Sequence, residues 1–182
     1  MAGVEHAAPA LVIPWVARIV GALDQPDVAE EAAESVLSSP YANPLFAQVA
    51  KVGLALLAVV RGDVTTANQQ YHALDMAPGR GLEALGSLAY ERTMELLAQT
   101  IGELDEAAAH FEDSMGFCRK AAWRPELAWT CCDYADTLRE RDGDGDRARA
   151  ISLLDESPAI SSELGMRPLM ERVLSRMEIL KG

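Results

Sequence analysis

Three segments of this 182-residue chain carry one pattern, and their repetition restricts the possible folds sharply. Gly62-Asp63-Val64-Thr65-Thr66-Ala67 is followed by Tyr71 and Leu74. Gly102-Glu103-Leu104-Asp105-Glu106-Ala107 is followed by Phe111 and Ser114, and Gly145-Asp146-Arg147-Ala148-Arg149-Ala150 by Leu154 and Ser157. Each segment is a Gly-acid turn opening a helix. A small residue comes first, a large apolar one four positions on, and a third residue three beyond that. Residues four apart share a helix face, so the alanine admits a neighbouring helix and the large side chain fills the groove one turn later. Ala67, Ala107 and Ala150 stand 40 and 43 residues apart. A fixed period of about 20–50 residues marks a stacked repeat, which builds an extended surface rather than a closed catalytic pocket.

Composition agrees with helices. Hydrophobic residues make up 49% of the chain but aromatics only 5%, so alanine and leucine supply most of the apolar content and strands are disfavoured. Pro44, Pro125 and Pro168 each precede an apolar-periodic segment, where a missing N–H costs nothing, and Asn43 is a good cap before Pro44. Gly62 and Gly102 suit the left-handed turn that ends a helix, with Asp63 and Glu103 complementing the next helix dipole. The spacing predicts helices over 8–23, 27–38, 44–61, 64–77, 82–101, 103–122, 125–141, 146–164 and 168–181. The expected fold is all-α: one domain over 1–182, a right-handed, tetratricopeptide-like stack of antiparallel helix pairs. It comprises a degenerate pair (8–40), repeats at 44–80, 82–122 and 125–166, and a capping helix (168–181) with a polar outer face. Pro158 predicts a kink or early break in the eighth helix. Glu95 stands where neighbouring repeats offer Ala55 and Ala135, a local departure from close packing.

The formal net charge is −12. Such a surface repels phosphates, which argues against direct nucleic-acid binding, and the partner expected is a protein or peptide with a basic segment. Cys118, Cys131 and Cys132 form no disulfide or metal-ligand pattern and are expected as core fillers in a reducing compartment. The N-terminal segment lacks signal-peptide character, and no run approaches the ~20 apolar residues of a membrane span. The expected setting is cytoplasmic, with no membrane contact. Asp142, Asp144 and Asp146 imitate a calcium loop, but Arg147 replaces its glycine and Leu153 its closing glutamate. The segment reads instead as a solvated loop with Asp146 capping the next helix. Arg61-Gly62-Asp63 coincides with a repeat turn rather than an adhesion loop. His110, Asp113 and Glu106 share a helix face and read as a polar stripe rather than an acid–base set. No phosphate-binding loop, metalloprotease motif or nucleophile elbow occurs. No enzyme, cofactor or metal is expected.

The segment from His110 to Leu180, HFEDSMGFCRKAAWRPELAWTCCDYADTLRERDGDGDRARAISLLDESPAISSELGMRPLMERVLSRMEIL, resembles the C-terminal tetratricopeptide-like region of large bacterial signalling proteins. These join a STAND-class ATPase to an adenylate or guanylate cyclase domain or to a LuxR-type DNA-binding domain. YANPLFAQVAKVGLALLAVVRGDV, residues 41–64, looks like an upstream part of the same region. The resemblance implies a sensor or protein-interaction arm, without the family's catalytic parts.

A helical-repeat interaction module is therefore expected, with a protein or peptide bound along the first helix of each pair. The groove candidates are Arg92, Gln99, Trp129, Asp136 and Arg139, with Trp129 as the best anchor because tryptophan and arginine dominate binding hot spots; the alternative for Trp129 is packing between repeats. The alternative is a small-molecule sensor holding a metabolite in the superhelical groove.

Overall fold

The computed structural model describes residues 4–20, 24–75 and 90–181, and every regular element among them is helical. The nine described helices are α1 (Val4–Val20), α2 (Pro26–Leu37), α3 (Pro44–Arg61), α4 (Val64–Asp75), α5 (Tyr90–Ile101), α6 (Leu104–Lys120), α7 (Arg124–Arg141), α8 (Asp146–Glu163) and α9 (Arg167–Lys181). The chain divides into two compact units, Met1–Pro78 and Gly79–Gly182. The start of the helix expected at 82, and the loop before it, lie outside the described residues.

In the first unit, α1 packs on α2 and α3, and α3 on α2 and α4. The side chains between them are mostly small: Ala10, Ala32, Ala33, Val36, Val49 and Ala50, with Leu11, Phe46 and Leu54 against them. Gly53 sets the α1–α3 approach, because a Cβ there would lie 2.0 Å from the Ala10 carbonyl oxygen. Pro44 starts α3 as expected, and the Asn43 side chain accepts a hydrogen bond from the Leu45 N–H at 2.9 Å. Gly62 ends α3 at φ 64°. Asp63 then accepts from the Thr66 N–H at 3.0 Å and its hydroxyl at 2.6 Å, opening α4. α1 begins at Val4 rather than 8 and runs through Pro9 and Pro14. Proline removes one backbone bond but leaves the remaining turns helical. By length and composition α3 is apolar enough to cross a bilayer, but here it packs against three neighbouring helices.

In the second unit each helix packs on the next, and α7 also touches both α5 and α9. Ala107, Phe111 and Ser114 of α6 and Ala150, Leu154 and Ser157 of α8 are all buried, as the repeated pattern requires. Phe111 stacks on Tyr134 of α7, centroids 5.0 Å apart and planes at 7°. α8 does not break at Pro158 but continues to Glu163. Next to the proline, the Ser157 hydroxyl donates to the Ala128 carbonyl of α7 at 2.8 Å, tying that turn to its neighbour. The three cysteines are buried thiols. Burial pushes Cys118 and Cys131 up to about 12, and Cys132 upward as well, so all stay protonated at neutral pH.

Candidate functional site

The face shared by α5, α7 and α9 contains the predicted site residues and several that sequence reasoning missed. Glu126, Trp129 and Asp133 occupy positions i, i+3 and i+7 of α7, one face of the helix. From α5, Arg92 reaches Glu126 at 2.9 Å and Asp133 at 3.7 Å. From α9, Arg172 reaches Asp133 at 3.5 Å. The two guanidinium carbons lie 5.9 Å (Arg92) and 5.2 Å (Arg172) from the Trp129 ring centroid, within cation–π range. Arg92, Glu95, Glu126 and Asp133 are all buried. Burial alone would lower the Arg92 pKa, but the carboxylates of Glu126, Asp133 and Glu95 outweigh it and hold the guanidinium charged.

One turn further along α7, Asp136 accepts from Arg176 of α9 at 3.1 Å, and Arg139 approaches Asp136 at 3.8 Å. Burial pushes the Asp136 carboxyl upward, against the pull of Arg176. Gln99 of α5 donates to Glu140 of α7 at 3.3 Å.

The five predicted groove residues therefore separate into two layers. Arg92 and Trp129 are interior; Trp129 is only 7% exposed and packs between two arginines rather than standing out as an anchor. Gln99 and Asp136 are half-buried, and the Arg139 side chain is 46% exposed. The interior partners Glu126 and Asp133 had a readable signal in their i, i+7 spacing around Trp129. Arg172 and Arg176, read as part of a polar outer face, turn inward to Asp133 and Asp136 instead.

Ion pairs outside this face join α6, α7 and α8. Arg119–Glu156, Arg149–Glu112 and Arg141–Asp105 are ion pairs 36 or 37 residues apart, and Arg124–Glu163 spans 39. The loop at 142–146 also departs from expectation. Gly145, at φ 85°, takes the capping position, and Asp146 lies inside the first turn. Its carboxylate accepts from Arg141 at 2.7 and 2.8 Å and from the Gly143 N–H at 2.9 Å. Those bonds hold Asp146 below the usual aspartate range. Its two oxygens organise the loop. Among the described residues, no group of three or more His, Cys, Asp or Glu side chains could hold a metal ion.

No protein-family model, curated protein or solved structure matches the chain.

Proposed function

We propose that this chain is a non-enzymatic helical-repeat interaction module of tetratricopeptide-like stacking, the sensor or protein-binding arm of a bacterial signalling protein. The observation that carries this reading is the layered packing of 90–181. Consecutive helices pack as neighbours, α5, α7 and α9 touch in turn, and ion pairs tie α7 to both α8 and α9. Such a layer offers a continuous face to an extended partner. On this reading the partner meets Gln99, Asp136 and Arg139, while Arg92 and Trp129 support them from beneath. The net charge of −12 favours a partner with a basic segment. The three buried thiols accord with a reducing, cytoplasmic setting.

The test is capture of partners from a bacterial extract by the full chain and by its Gln99→Lys variant, whose added cation opposes a basic partner. Recovery of one protein by the parent, weakened by the substitution and by added salt, supports the reading. Recovery that ignores both contradicts it.

A further inference from the structure

The turn from α6 to α7 and the turn from α8 to α9 repeat one another at a shift of 43 residues. Ala121, Ala122 and Trp123 donate their N–H groups to the carbonyls of Phe117, Arg119 and Cys118, as Leu164, Gly165 and Met166 donate to Ile160, Ser162 and Ser161. Ala122 and Gly165 both take positive φ, 53° and 66°. The Arg124 guanidinium donates to both oxygens of Glu163, at 2.6 and 2.7 Å, and so sets the two turns side by side at one end of the unit. Their accessible side chains form an apolar strip. Trp123 is half-buried and edge-on to the half-buried Phe117, centroids 6.4 Å apart. Across the Arg124–Glu163 bridge, Leu164 is 43% exposed and Met166 half-buried. The charge around the strip is positive. Glu163 is held by Arg124, Glu156 by Arg119 at 2.8 Å, and Glu126 is buried against Arg92. Lys120 and Arg167 lie outside those pairs, exposed at the two ends of the strip. Asp113 and Glu171 stand at least one turn inside their helices. At the opposite end of the same helices, residues 102–106 and 139–147 hold seven carboxylates and three arginines, so the acidic charge is concentrated away from the strip.

We propose that this strip docks an acidic segment of another protein, with an aromatic or aliphatic side chain against Trp123 and Leu164 and carboxylates on Lys120 and Arg167. The surface is separate from the α5–α7–α9 face and does not rest on the reading of that face. A tryptophan beside unpaired cations combines the contact area and the charge that dominate recognition at interfaces. Local charge governs a short segment, because salt confines its electrostatic reach to about 8 Å. Such a segment meets the two cations alone, whereas an anionic bilayer would face a chain of net charge −12. Trp123 is also set against Phe117 rather than projecting, which suits a docked side chain better than insertion among lipids.

The experiment uses the full chain and two synthetic peptides. Both place a phenylalanine and a leucine between charged flanks, glutamate in one and lysine in the other. Fluorescence anisotropy should find the glutamate peptide bound and the lysine peptide at least about ten-fold weaker. Leu164→Ser should weaken the glutamate peptide about ten-fold with Tm unchanged, since Leu164 is exposed. The double change Lys120→Glu, Arg167→Glu should reverse the preference between peptides. Gln99→Lys, on the other face, should leave the glutamate peptide bound as before. No binding of that peptide, equal binding of both, or binding indifferent to Leu164→Ser or to the double change would overturn the proposal. Binding abolished by Gln99→Lys but kept in the double variant would overturn it too, by moving the peptide to the α5–α7–α9 face. So would binding of phosphatidylglycerol vesicles but of neither peptide, which would make a bilayer the occupant. Self-association in sedimentation that the double change removes would make a second copy the occupant and equally overturn it.

Discussion

The first four helices close on one another through Ala10, Ala33, Ala50 and Gly53, whereas the last five enclose Arg92, Glu95, Glu126 and Asp133 among their buried side chains. Both units are built from helices of similar length, but what their contacts demand differs. Small apolar contacts depend on distance alone, so the α1–α3 spacing is fixed by what is missing from Gly53. The α5–α7–α9 contacts depend on which charge meets which, so they fix register as well as distance. Buried ion pairs are weak sources of net stability, but removing one partner is costly. The second unit should therefore be the more sensitive to single polar substitutions, and the first to added volume.

The largest effect is expected at Arg92. Arg92→Met leaves Glu126 and Asp133 without that cation and should cost about 3–5 kcal/mol in urea unfolding of the full chain. A loss below 1 kcal/mol, on the order of a surface pair, would mean the charges are solvated and the contrast between units is false. Phe111→Ala should cost a similar amount, about 3–5 kcal/mol, by removing the ring stacked on Tyr134. An unchanged denaturant midpoint would contradict the packing of α6 on α7.

Gly53→Ala comes next, at about 3 kcal/mol, the upper end of overpacking costs, because the added methyl meets backbone rather than a movable side chain. Hydrogen exchange should locate the loss in α1 and α3. Exchange that speeds up in α7 instead would erase the distinction.

Asp146→Asn should cost about 1.5 kcal/mol at pH 7, at the low end for bonds to a charged group because Arg141 is partly solvated. The sign with pH follows from the depressed native pKa. The carboxylate's contribution is whole above its unfolded value of about 4 and is lost as pH falls through the lower native value. Parent and variant should therefore converge in stability in acid, and a gap that widens on acidification would contradict the Arg141–Asp146 assignment.

Much of this was legible because helix punctuation is local. Asn43-Pro44, Gly62-Asp63 and Arg124-Pro125 each settle a boundary within a few residues of themselves, and the alanine–aromatic spacing settles which face turns inward. Gly53 was not legible, because its role depends on the Ala10 backbone more than forty residues away. Packing of Trp129 between repeats was one of two readings the sequence offered, but the arginines from α5 and α9 on its two sides were not legible. Glu95 could be marked as out of place from its neighbours, but the burial of Arg92 beside it, shared with Glu126 and Asp133 of α7, could not be read from α5 alone. The inward turn of Arg172 and Arg176 was missed because their helix was read as a cap. Their i, i+4 spacing against Asp133 and Asp136 is the signal that identifies them.

The most direct measurement is the affinity of the captured partner for the full chain and for Gln99→Lys, read together with the Tm of each. Gln99 is half-buried beside Glu140, which a lysine can also reach, so the Tm should not move. If that layer is the binding face, affinity should fall at least about ten-fold, equivalent to about 1.4 kcal/mol. Unchanged affinity at unchanged Tm would place the partner elsewhere and contradict the account.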